Sequence, residues 1–101
     1  MAEAIGKQKF VIGNHYLWKM IEDKDIRTQI NESHKLIKDL KSENIILPNE
    51  YVDGLLIEKL PQSWKDYKQQ LKHKNKQISL AELITHIIIE DTNRKEITRA
   101  R

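Results

Sequence analysis

Leu56-Ile57-Glu58-Lys59-Leu60-Pro61-Gln62-Ser63-Trp64-Lys65-Asp66-Tyr67 is the stretch that decides the fold. An apolar run with helical spacing stops at a proline, and a tryptophan and a tyrosine then resume that spacing. Leu60-Pro61 ends the first helix because the proline ring disfavours helical backbone in the residue before it. Ser63 is placed to cap the next helix, in which Trp64, Tyr67 and Leu71 share a face at i, i+3 and i+7. Helix, break and helix form a packing plan with Trp64 as a core anchor.

The same grammar extends outward in both directions. Upstream, Asn44 to Leu47 connects to Pro48, which suits a first helical turn because it has no amide hydrogen to leave unpaired. Tyr51, Val52, Leu55, Leu56 and Leu60 then recur at three- and four-residue steps. Gly54 interrupts that helix at about 1 kcal/mol relative to alanine, either to let another helix approach closely, the favoured reading, or as a tolerated weakness. Downstream, a lysine-rich turn from His73 to Gln77 yields to Ser79-Leu80-Ala81-Glu82, a capping box in which serine and glutamate satisfy each other's backbone donors. Leu80, Leu83, Ile84, Ile87 and Ile88 make an amphipathic helix expected to fade after Asn93. Ile89 widens its stripe beyond what one small core covers. Trp64, Tyr67, Leu83, Ile84, Ile87 and Ile88 are the predicted core.

Nearer the amino terminus, Asp25 is an N-cap for a helix reaching about Ser42, with Ile26, Ile30, Leu36, Ile37 and Leu40 inward. Before it, Phe10, Val11, Ile12, Tyr16, Leu17, Trp18, Met20 and Ile21 form a dense apolar block broken by Gly13 and Asn14. Two readings stay open for this block: a short helix around Asn14 to Met20, or an extended arm docking through Phe10 and Trp18. Either way it has little polar cover and calls for a partner. Residues 1–8 read as a disordered leader or as a boundary left by excision from a longer protein. The expected organisation is therefore a leader over 1–8, an apolar arm or short helix over 9–24, a helical domain over 25–96 and a basic tail over 97–101.

Composition agrees with an all-α chain, a compact bundle of four to five short helices. The chain has 101 residues, 39% apolar and 33% charged, with three glycines and two prolines. It lacks cysteine, which excludes disulfides, a cysteine nucleophile and cysteine-bearing zinc sites within it. No apolar run approaches the roughly 20 residues that span a bilayer, and the first residues lack the pattern of a secretory signal, so an intracellular protein is expected. The net charge of +3 is unevenly placed. Lys65, Lys68, Lys72, Lys74 and Lys76 face only Asp66, while Arg94, Lys95, Arg99 and Arg101 face only Glu96. Both segments are candidates for weak phosphate contact, set against the plainer reading of a solvated helix face and a frayed tail.

Catalytic chemistry finds no foothold. Gly6, Gly13 and Gly54 are isolated, so no phosphate-binding glycine loop exists, and no glycine-flanked serine nucleophile is present. His15, His34, His73 and His86 are scattered with no metal-ligand spacing. His34 and His86 are read as core-edge residues and His73 as a solvated loop residue. Glu90 and Asp91 are adjacent on a helix and diverge. The chain is not expected to be an enzyme or to hold a cofactor.

Ile45 to Pro48, the run Leu56 to Lys68, the step Leu71-Lys72-His73-Lys74, and Ser79-Leu80-Ala81-Glu82-Leu83-Ile84 followed by Ile89-Glu90 resemble the Gag polyprotein of plant copia-type LTR retrotransposons. The resemblance runs from about Lys9 to Glu96 and is to the carboxy-terminal half of the capsid region, a helical domain similar to retroviral capsid C-terminal domains and SCAN dimerisation modules. It implies a capsid protein that self-associates into cytoplasmic virus-like particles around element RNA, with no membrane or small-molecule partner. The family's upstream capsid half is reduced here to the Phe10 to Met20 block and its zinc knuckle is absent, implying an excised subdomain or a domesticated copy. By position in related capsid domains, Tyr51, Val52, Gly54 and Leu55 would form the self-association interface, against the alternative that they serve only the core. The competing reading is a helical nucleic-acid-binding module acting through Lys65, Lys68, Lys72, Lys74, Lys76, Arg94 and Lys95.

Overall fold

A computed structural model describes the backbone of residues 2–74 and 78–100 and the side chains of 5–73 and 78–99. The described elements are helices joined by short connections: α1 (Ala2–Leu17), α2 (Ile26–Ser42), α3 (Asn49–Glu58), a 3-10 turn at Gln62–Trp64, α4 (Lys65–Lys74) and α5 (Leu80–Ala100). The all-α bundle is as expected.

α1 departs from the sequence reading. It begins at Ala2, so residues 2–8, expected to be disordered, are helical. Ala2, Glu3, Ala4, Lys7, Gln8 and Lys9 are strong helix formers, and their summed propensity outweighs the glycines at 6 and 13. The helix then stops at Leu17, and Trp18 to Ile21 are non-helical. The helical reading thus holds for Asn14 to Leu17, and of the extended arm only Trp18 packs on the core, whereas Phe10 is helical and 68% exposed and does not dock. α1 runs antiparallel to α2, with the Gln8 Nε2 donating to the Glu43 carbonyl (3.1 Å) at one end and the Trp18 Nε1 donating to Glu32 Oε1 (3.4 Å) at the other.

α2 is capped at both ends by its own sequence. The Thr28 amide and hydroxyl both donate to Asp25 Oδ2 (3.0 and 3.1 Å). At the other end Asn44 takes a left-handed conformation (φ 64°), and the Ile45 and Asn44 amides donate back to the Leu40 and Lys41 carbonyls (2.9 and 3.0 Å). Those paired bonds make a Schellman motif with asparagine at its left-handed position. Pro48 precedes α3, and its carbonyl accepts from the Val52 amide (3.0 Å). Gly54 does not admit a second helix, because a Cβ there would meet nothing within 4 Å.

The break at Leu60-Pro61 is confirmed, with both residues buried, but Ser63 does not cap α4 by its side chain. Instead its amide and hydroxyl donate to the carboxylate of Glu22 (2.7 and 2.6 Å), so a residue of the α1–α2 connection caps the 3-10 turn that leads into α4. Ser79 does cap α5, accepting from the Glu82 amide (3.2 Å). α5 continues to Ala100 and does not fade at Asn93. The i,i+4 ion pairs Glu90–Arg94 and Asp91–Lys95 support its extension.

Met20, Ile26, Ile30, Leu56, Ile57, Leu60, Trp64, Leu71, Leu83 and Ile87 make the core, with Tyr67, Ile84 and Ile88 packed on its margin. Trp64 and Tyr67 meet edge to face (centroids 5.6 Å apart, planes at 85°), and the Tyr67 hydroxyl donates to the His86 carbonyl (3.1 Å). His34 and His86 are exposed rather than at the core edge. α5 packs on both α2 and α3, while α1 packs on α2. The molecule is elongated, with extents of 57 × 29 × 18 Å.

Candidate self-association surface

α1 carries apolar residues around most of its circumference. Gln8, Val11 and His15, at i, i+3 and i+7, turn toward α2. Ile5, Ile12 and Tyr16 form a second stripe, and Phe10 and Leu17 a third; all five are exposed, Tyr16 and Leu17 at 78% and 77%. A contiguous exposed apolar area on a small domain marks a surface that other protein covers.

Ile12 and Tyr16 form one wall of a groove of about 160 Å³ whose other wall is Tyr51 and Leu55 on α3, with Leu40, Ile45 and Leu47 completing it. Exposed Tyr51 at its rim and exposed Ile46 in the adjacent α2–α3 connection extend the apolar area. His15 and Lys59 also line the groove.

Lys59 fixes this geometry. Its ammonium donates to the carbonyls of His15, Tyr16 and Trp18 (2.9, 3.2 and 2.6 Å), while its own carbonyl accepts from the Met20 amide (2.9 Å). The carbonyls at the end of α1 lack intrahelical donors, and a cation there also complements the helix dipole. One side chain thus terminates α1 and ties it to the end of α3. Burial lowers the Lys59 pKa; burial first, then the neighbouring ammonium, lowers that of His15. Gln29, only 1% exposed, clamps the connection beside them: its Oε1 accepts from the Ile21 amide (2.7 Å) and its Nε2 donates to the Ile21 and Lys24 carbonyls (3.1 and 3.0 Å). Neither Lys59 nor Gln29 was singled out in the sequence.

The four residues expected at the interface are divided. Tyr51 and Leu55, one turn apart, face the α1 groove. Val52 lines a separate hollow with Ile37 and Leu80. Gly54 is exposed with open space above it.

The basic candidates are also divided, and most are engaged within the molecule. Lys72 pairs with the Glu58 carboxylate and Lys68 donates to the Glu58 carbonyl (3.0 Å). The Arg94 guanidinium lies 4.5 Å from the Trp64 ring centroid and bonds Glu90 (2.8 Å) and the Ser63 carbonyl (3.4 Å). Lys95 pairs with Asp91 and Asp25 (3.0 and 3.6 Å). Lys65 is exposed; the side chain of Lys74, residue Lys76 and Arg101 lie outside the described residues. Among the described residues, no group of three or more His, Cys, Asp or Glu side chains could hold a metal ion, and no helix is long and apolar enough to cross a membrane.

A family model described as gag-polypeptide of LTR copia-type matches residues 2–100. No match was found among curated proteins or solved structures.

Proposed function

Because the chain belongs to the gag-polypeptide family of LTR copia-type elements, we propose that it is a structural, non-catalytic domain that associates with copies of itself during capsid assembly. The supporting observation is the apolar surface of α1, where five large side chains stay exposed, Ile12 and Tyr16 of them beside Tyr51, although the chain already has a closed core. The site of action consistent with this role is a cytoplasmic particle.

Sedimentation equilibrium of the chain across a wide concentration range tests the reading, with Tyr16→Asp/Tyr51→Asp as the comparison. Both tyrosines are exposed, so the charges fall on the surface and leave the core intact. A dimer or larger species that grows with concentration and disappears in the variant is the expected outcome. A monomer throughout would overturn the proposal.

A further inference from the structure

We propose that α1 is a pH-gated arm, held on the bundle while the imidazole of His15 is neutral and released when that ring takes up a proton. The arm can move without opening the rest of the fold. None of the ten core residues belongs to α1, and the first of them, Met20, comes after the helix has ended. What holds the arm is its face toward α2 and the Lys59 clamp on the carbonyls at its end.

His15 sits where a new charge would act on both. It is only 8% exposed. Leu40 of α2, Ile45 and Leu47 of the α2–α3 connection and Leu55 of α3 line the groove with it, so its surroundings are largely aliphatic. The ionisable groups in that lining are Tyr16 of α1 itself and Tyr51 and Lys59 of α3. Lys59 is a cation, since a side chain that donates to three carbonyls needs all three ammonium protons. No carboxylate of the described residues lies within ion-pair distance of His15. The acids of α2 that approach α1 do so elsewhere: Glu32 and Asp39 line the hollow beside Trp18, and Glu43 adjoins Gln8, two turns away along α1.

Protonation places a second cation beside the ammonium in an apolar setting without a counter-charge. Burial first, and then the Lys59 charge, already hold the His15 pKa below its ordinary value of about 6.5. Below that value a docked arm therefore binds fewer protons than a released one. Docking is at full strength above about pH 6.5 and weakens as the pH falls, by up to about tenfold for each pH unit, because release takes up one proton. Once off the bundle, a 16-residue helix with glycines at 6 and 13 is marginal in water and frays. His34, His73 and His86 are exposed and lie on other elements, so their protonation costs docking nothing. Asp53 works in the opposite direction: its carboxyl, raised by burial first and then by Glu50, stabilises the fold as it takes up a proton.

The test is NMR of the full chain between pH 7.5 and 5, with amide exchange expressed as protection factors so that the intrinsic pH dependence divides out. Residues 11–17 should lose about threefold to tenfold in protection from pH 6.5 to 5.5, while Leu83 and Ile87 in α5 stay protected. The His15 ring resonances should titrate with a midpoint below about 6.5 that coincides with the loss. His15→Gln, neutral at every pH and a better helix former, should keep residues 11–17 equally protected across the range. A tenfold dilution should leave the response unchanged, because the release belongs to a single chain and does not rest on self-association. Any of these results would overturn the proposal: α1 protection that ignores pH, a His15 midpoint apart from the loss, a loss that persists in His15→Gln, one shared by Leu83 and Ile87, or one that vanishes on dilution.

Discussion

Lys59 does more for the architecture than its place at the end of an amphipathic helix suggests. Its ammonium meets three carbonyls across a sequence gap of more than 40 residues. Hydrogen bonds to a charged group contribute about 1.5 to 3 kcal/mol, and truncation also frees the end of α1. Lys59→Ala should therefore lower stability by about 2 to 3 kcal/mol in urea unfolding, with the lost protection concentrated in residues 10–18 when hydrogen exchange is followed. Asp53 acts in the opposite sense. Its Oδ1 is buried without a partner, and burial first, then the Glu50 charge, raises its pKa. A carboxyl whose folded pKa lies above its unfolded value of about 3.9 binds more protons folded than unfolded. Stability then falls as pH rises through the window above that value. Asp53→Asn should raise the melting temperature at pH 7 and leave it unchanged below about pH 3.5, which a thermal unfolding series over pH 3 to 8 reads directly.

At the scale of the element, the helices with strong local signals were legible and those governed by distant partners were not. Asp25, Pro48, the Leu60-Pro61 break and Ser79 mark boundaries through bonds made within three or four residues, so the chain itself announces them. The core positions Trp64, Leu83 and Ile87 followed from the 3.6-residue period for the same reason. α1 was hidden because its apolar residues surround the helix and leave no period to detect, although the alanines and charged residues of its first turns are helix formers. Ser63 was misassigned because the carboxylate that meets it, Glu22, lies 41 residues away. The candidate surface was half legible: Tyr51 and Leu55 were named, but their opposing wall, Ile12 and Tyr16, depends on how α1 docks. Gly54 is simply an open position within α3. With no atom within 4 Å of an added Cβ, Gly54→Ala should stabilise the domain by up to about 1 kcal/mol. The melting temperature should then rise by roughly 4 to 8 °C.

At the scale of the whole molecule, the radius of gyration is 15.3 Å, against about 13 Å for a spherical domain of this length. The excess reflects the elongated envelope, 57 Å along its longest axis. Small-angle scattering should therefore give an elongated particle at low concentration. If copies pair across α1, the radius should grow with concentration in step with the sedimentation result and stay fixed in Tyr16→Asp/Tyr51→Asp.

α5 closes the structure, because it lies against both α2 and α3 and supplies Leu83 and Ile87, neither of which retains any exposure. The α1–α2 hairpin and the α3–α4 unit are each built from neighbours in the chain and can form locally as soon as they are synthesised. Until residue 87 has left the ribosome, however, both present their inner leucines and isoleucines to solvent. The nascent chain is then a substrate for chaperones and for premature contact with other nascent copies, and the speed of translation through residues 75–90 becomes a determinant of yield.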